Sequence, residues 1–188
     1  MKNFAAGILA LCLAVPALAQ TGPATGADTA QPDTAPAARL VNGTRFGQWT
    51  LTCEAVAVGE TACVLNQRIA RTSDGKFLAD FLMFWNPATD NEVFLAARVP
   101  IGAYLPAGFA IRSEQAAEDT QRPLTWQTCA AGVCEALTAL TADDIAALEA
   151  GGDVIAGYRP SLRTDPVIFR FSMQGAKAGL DALGNVRK

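Results

Sequence analysis

The chain has 188 residues, 15 basic against 18 acidic side chains, and no histidine. The missing imidazole excludes Ser-His-Asp and Cys-His catalysis and His-ligated zinc or haem. The mildly acidic balance, with arginines scattered rather than massed, argues against a nucleic-acid partner.

At the N-terminus, Lys2 precedes an apolar run from Ile8 to Val15, broken by Pro16 and followed by Ala17-Leu18-Ala19. This pattern predicts a secretory signal peptide over residues 1–19, cleaved after Ala19, and places the protein in the periplasm or outside the cell. The run is too short for a spanning helix, which needs about 20 apolar residues, and no transmembrane segment is expected elsewhere. Cys12 sits within the apolar run behind Leu11. It lacks the small preceding residue and the position near the cleavage point that a lipoprotein signal would show. Residues 20–44, rich in Ala, Thr, Pro and Asp, read as a disordered linker, and residues 45–188 as one folded domain.

Four cysteines remain after the signal: Cys53, Cys63, Cys129 and Cys134. In an exported chain an even number argues for disulfides. Of three possible pairings, Cys53–Cys63 and Cys129–Cys134 are favoured, since each closes a small loop around a turn signal at Gly59 or Ala131-Gly132. Zinc is the competing reading, but the Cys53–Cys63 spacing fits no zinc knuckle and no histidine completes a mixed site. Neither a metal nor a cofactor is expected.

Trp49, Leu51 and Cys53 alternate with Gln48, Thr50 and Thr52, the period of a half-buried strand. Its hairpin partner runs on through Val64 to Ala70, and Thr72 to Gly75 is a turn. The run from Lys76 to Trp85 is ambiguous by period, since Phe77, Phe81, Phe84 and Trp85 also fit a helical face. The flanking Asp74-Gly75 and Asn86-Pro87 signals favour a buried strand, with its aromatics in the core. Asn91 to Val99 alternates Val93, Leu95, Ala97 and Val99 against Phe94, Ala96 and Arg98. Pro100, Gly102, Pro106 and Gly108 then interrupt the ladder and predict a bent connection into a strand from Phe109 to Ser113. Pro123 to Cys129 and Val133 to Ala139 form the second disulfide hairpin, with Trp126 facing inward or over the bridge. Thr141 and Asp144 form a capping box for a helix that ends at Gly151-Gly152. Val154 to Tyr158 and Val167 to Met173 are strands, and a short helix burying Ala176, Leu180 and Leu183 closes the chain. The whole reads as a mainly β fold: a β-sandwich of short antiparallel strands with two short helices, one before the last strands and one C-terminal.

Four features taken together resemble one family. These are Trp49 followed by Cys53 and Cys63; Val99-Pro100-x-Gly102-x-x-Leu105-x-x-Gly108; Cys129 and Cys134 followed by Ala136; and Ser172-Met173-x-Gly175 leading into Ala178, Leu180, Ala182 and Leu183. The set is similar to the invasion associated locus B family of exported bacterial proteins, over about Phe46 to Gly184. The chain departs from it at Ala176, where the family pattern carries an aromatic. The resemblance implies an association, in some members, with bacterial entry into host cells. It brings no catalytic residues, because the matching positions are cysteines, Gly, Pro and core aromatics that serve a fold.

The expected function is a non-enzymatic interaction module whose partner is a protein or envelope component. Its candidate contact surface is the loop bearing Pro100, Ile101, Gly102, Tyr104, Leu105, Pro106 and Gly108. The competing reading of that loop folds Tyr104 and Leu105 back to plug one end of the sandwich. Two other functions compete: a small-ligand carrier with a cavity between the sheets, and an exported hydrolase using carboxylates such as Asp80, Glu92 and Asp165.

Overall fold

The structure, a computed structural model, describes residues 40–89 and 92–185; the predicted signal peptide and most of the predicted linker lie outside them. Among the described residues, ten antiparallel strands follow the order β1-β2-β3-β4-β5-β8-β7-β6-β9-β10. They are β1 (Arg45–Phe46), β2 (Trp49–Ala57), β3 (Glu60–Ala70), β4 (Phe77–Trp85) and β5 (Val93–Pro100), then β6 (Phe109–Ser113), β7 (Arg122–Ala130), β8 (Val133–Leu140), β9 (Asp153–Tyr158) and β10 (Val167–Ser172). Helix α1 (Ala142–Ala150) joins β8 to β9, and α2 (Ala176–Gly184) follows β10. The fold is the predicted mainly β architecture with two short helices.

β7 makes the corner between the two layers. Its first residues pair with β6, Leu124 opposite Phe109 and Arg122 opposite Ile111. From Thr125 onward it pairs with β8, with a bulge between Trp126 and Thr128. A strand that changes sheets through a bulge is how folded-over sheets turn their corners. Pro123 is tolerated because only one side of this half-strand is paired. Trp126 takes the inward option and meets the Phe109 ring edge-on at 6.0 Å.

Period-2 alternation fills the space between the layers. Trp49, Leu51, Leu65, Phe81, Met83 and Leu95 come from the first layer and Phe109, Ile111, Phe169 and Phe171 from the second, all buried. Phe81 stacks on Phe171 at 3.8 Å across the gap. Truncating an aromatic packed in this way costs about 3–5 kcal/mol. The β4 aromatics are not all core, contrary to the sequence expectation. Phe81 points inward, whereas Phe84 stands on the opposite face against Phe94 at 5.7 Å, and Phe77 lies under Arg68. The strand's period sends Phe84 outward, and a register shift that pairs Phe77 rather than Leu78 with Ala70 turns Phe77 to the same face.

The two ends of the sheet meet at a glycine contact. A Cβ on Gly175 would lie 2.3 Å from the Phe46 carbonyl oxygen, and one on Gly47 2.3 Å from that of Gln174. Both glycines also have positive φ, +88° and +59°, which L side chains rarely adopt. The approach lets the Gln48 N–H donate to the Gln174 carbonyl at 3.3 Å. Ala176, the departure from the family pattern, is fully buried just beyond this contact.

Both helices cap one end of the core. Thr141 and Asp144 form the predicted capping box of α1, and Arg122 reaches from β7 to bind the Asp144 carboxylate. The Trp85 indole N–H donates to the Leu180 carbonyl of α2 at 3.1 Å, and Glu149 of α1 accepts from the Lys177 N–H at 3.0 Å. Residues 40–44, assigned by sequence to the linker, lie against β2. Gly43 donates to the Leu51 carbonyl at 2.8 Å, the Asn42 side chain accepts from the Cys53 N–H, and Leu40 packs on the core.

Candidate functional site

Each cysteine pair occupies directly opposed positions of a hairpin. Cys53 faces Cys63 across β2–β3 and Cys129 faces Cys134 across β7–β8, and both pairs are bonded, at Cα–Cα distances of 4.1 and 4.0 Å. Cys134 is buried, so the second bridge is rooted in the core. Beyond the first bridge the β2–β3 hairpin projects into solvent, with Val56 62% and Val58 fully exposed.

The loop between β5 and β6 is pinned by its backbone. Pro100 is still paired, opposite Val133 as the last residue of β5. The Ile101 N–H then donates to the Gly132 carbonyl at 2.9 Å, and the Tyr104 N–H to the Arg159 carbonyl at 2.7 Å. Gly102 and Gly108 have positive φ, and Leu105–Ala107, including Pro106, form one 3-10 turn. Within this frame the side chains divide. Ala103 packs on the core and Tyr104 is half-buried, while Ile101 is 63% and Leu105 44% exposed. Leu105 therefore does not plug the sandwich.

The carboxylates named from sequence do not converge. Asp80 stands on the outer face of β4 between Arg68 and Arg98. Glu92 lies at the other end of β5, where its carboxylate accepts from Asn86 and Thr89. Six residues of strand separate Asp80 from Asn86, about 20 Å. Asp165 is exposed in the segment before β10. Burial, against the pull of Arg68 and Arg98, pushes the Asp80 carboxyl above its ordinary range. Asp144 is displaced the other way. Burial raises it, but the Thr141 N–H and hydroxyl and the Arg122 guanidinium outweigh that and hold it low. Among the described residues no cluster of His, Cys, Asp or Glu could hold a metal. The interior where a carried ligand would sit is occupied by the Phe81, Phe109, Phe169 and Phe171 rings.

The outer face of β3, β4, β5 and β8 was missed by sequence reasoning. Leu82 and Ala96 are buried there, yet belong to no part of the inter-sheet core. Phe84, Phe94, Val64 and Leu137 surround them, half-buried. The available signal was the apolar run of β4, FLADFLMFW, which is apolar on both faces. A strand of an antiparallel sheet with one solvated face alternates with polar residues instead.

The sequence profile described as "Invasion associated locus B (IalB) protein" matches residues 49–184. The chain belongs to the invasion associated locus B family. Two Brucella abortus proteins, each named an invasion protein B homolog and taken from strain 2308 and from biovar 1 strain 9-941, are 27% identical to it over 146 residues. Those alignments cover 76% of this chain and 79% of each relative. The crystal structure of invasion associated protein b from Bartonella henselae superposes with a TM-score of 0.63 at 15% identity, covering 77% of this chain and 95% of that one. At that identity the likeness is one of fold. The family match spans both cysteine pairs, the β5–β6 loop and α2, the segments that carried the resemblance in the sequence. The two disulfides, with no helix among the described residues long and apolar enough to cross a membrane, are compatible with an exported protein.

Proposed function

We propose that this protein is an exported, non-enzymatic interaction module of the bacterial envelope. In this reading residues 1–19 direct export and are removed after Ala19, residues from Gln20 onward tether the domain, and the folded part binds a protein or envelope component. The invasion-associated names carried by its relatives support a role at the boundary with a host cell. Two local disulfides suit a small domain that must hold its shape outside the cytoplasm.

The observation that carries the reading is the β5–β6 loop. It holds two large apolar side chains, Ile101 and Leu105, in solvent on a backbone fixed to Gly132 and Arg159. Apolar groups presented by a rigid loop lose little conformational freedom on binding, which is what an interface needs. Tyr104 beside them adds apolar area with a hydroxyl. The test compares partners captured from the envelope fraction by the wild-type chain and by the Ile101→Ser/Leu105→Ser variant. The reading expects an unchanged melting temperature and loss of a specific captured species. An identical captured set from both proteins, or an enzyme activity retained by the purified chain, contradicts it.

A further inference from the structure

We propose that the outer face of β3, β4, β5 and β8 is a two-fold interface between two copies of this chain. The argument rests on register. Arg68, Asp80, Arg98 and Glu135 are successive partners across these four strands, so they form one row in the order plus, minus, plus, minus. At the ordinary strand spacing the row is about 14 Å long. Two residues along each strand lies a parallel row, Asn66, Leu82, Ala96 and Leu137. Two further on, Phe84 pairs with Phe94, and Phe94 with Ala139. One face thus carries a charged row beside an apolar island.

Consider a second copy laid face to face by a two-fold axis that runs along the strands, between β4 and β5. The operation exchanges β3 with β8 and β4 with β5, and it keeps the charged row on the charged row. Arg68 then opposes Glu135 of the other copy, and Asp80 opposes Arg98. Every position meets its opposite sign. The same operation sets Leu82 over Ala96, large against small, and Phe84 over Phe94. A self-complementary patch of this kind is what an isologous dimer interface requires. A row reading plus, minus, minus, plus across the same strands would repel itself at every position.

Leu82 and Ala96, 8% and 1% exposed, are covered by their own neighbours, so the apolar area left for a second copy is that of the half-buried Val64, Phe84, Phe94 and Leu137 around them. One observation points to a missing cover. Asp80 is under-compensated in the single chain. Its Oδ1 is buried without a hydrogen-bond partner among the described residues, and Arg68 stands 4.0 Å from its Oδ2. A second guanidinium from the facing copy supplies the missing positive charge.

Two single substitutions test the geometry with the full chain, expressed so that its own processing occurs. Arg98→Glu changes the row to plus, minus, minus, minus, and Asp80→Arg changes it to plus, plus, plus, minus. Each repels itself at the centre of the patch, yet the two oppose each other with opposite signs at all four positions. Sedimentation equilibrium of the wild type is expected to show a monomer–dimer equilibrium. Each variant alone should associate at least tenfold more weakly, and an equimolar mixture should recover dimer. Far-UV circular dichroism and melting of each variant check that it folds. A wild type that stays monomeric at every concentration, leaving the face to a foreign protein or lipid, overturns the proposal. So does a folded Arg98→Glu chain that dimerises as well as the wild type, or a mixture of two folded variants that stays monomeric. None of these outcomes bears on the β5–β6 loop, whose binding is read with the Ile101→Ser/Leu105→Ser variant.

Discussion

The Gln67 side-chain amide donates to the Ser172 carbonyl oxygen at 3.1 Å and accepts from the Ser172 N–H at 3.0 Å. One buried side chain thereby does for the end of β10 what a neighbouring strand would do, and it links β3 to β10 across the seam where the sheet fails to close. Gln67 is 6% exposed, so its polar ends have no ready access to water.

Replacing Gln67 by Leu removes both bonds and leaves the Ser172 N–H and carbonyl unpaired. The expected loss is about 2–4 kcal/mol, read as a lower midpoint in equilibrium denaturation. Gln67→Glu retains an acceptor for the N–H but no donor for the carbonyl when ionised. Its deficit should therefore be smaller at acid pH, where the carboxyl is protonated and can donate. Equal stability of Gln67→Leu and the wild type would show that the seam is closed by packing alone.

Each disulfide closes a short local loop, with separations of 10 and 5 residues. On the chain-entropy account each contributes about 2–3 kcal/mol. The two losses should still differ. Removing Cys129–Cys134 as a double Ser variant places a hydroxyl at the buried Cys134 position, whereas Cys53 and Cys63 are only half-buried. Thermal melts of the two double variants should rank Cys129/Cys134 as the more damaging. Peptide mapping of the oxidised protein should return these two bridges and no cross-pairing.

Asp144 links the start of α1 to β7 through Thr141 and Arg122. Its folded-state pKa lies below the ordinary 3.8. A depressed carboxylate stabilises the fold above the unfolded-state value and loses that contribution as pH falls through the folded one. Asp144→Asn keeps an acceptor for the Thr141 N–H but loses the charge, and should cost about 0.5–1 kcal/mol at pH 7, the usual magnitude for a carboxylate at a helix N-terminus with a partly exposed ion pair. The gap from the wild type should narrow progressively below about pH 4, measured as a difference in midpoint across a pH series. A gap that stays constant down to pH 2 would mean that the charge of Asp144 plays no part.

What could be read from sequence was local. The two hairpins were legible because a cysteine pair and a turn glycine lie within a dozen residues of one another, and α1 because Thr141 and Asp144 announce its first turn. The placement of β8 beside β5 was not legible. It follows from non-local pairing that no neighbouring residue encodes. Gln67 gave no sign of its role, since its partner lies 105 residues away. The outer apolar face was half-legible. The β4 run reads as the strand it is, but its aromatics are not all core, because the strand period and the register shift at Ala70 divide them between two faces. In the β5–β6 loop, Pro and Gly predicted the break in the ladder. Which side chains point outward depended on the backbone contacts with Gly132 and Arg159, which belong to distant parts of the chain.

The most direct test of the interaction reading is in-cell photo-crosslinking from the β5–β6 loop. A photoreactive residue in place of Ile101, 63% exposed, is compared with one in place of Leu162, 66% exposed and outside the loop. The account predicts a discrete adduct from position 101, containing this chain and one other envelope or host component, and no such adduct from position 162. An absence of adducts from position 101 in correctly exported protein, or the same diffuse pattern from both positions, would contradict it.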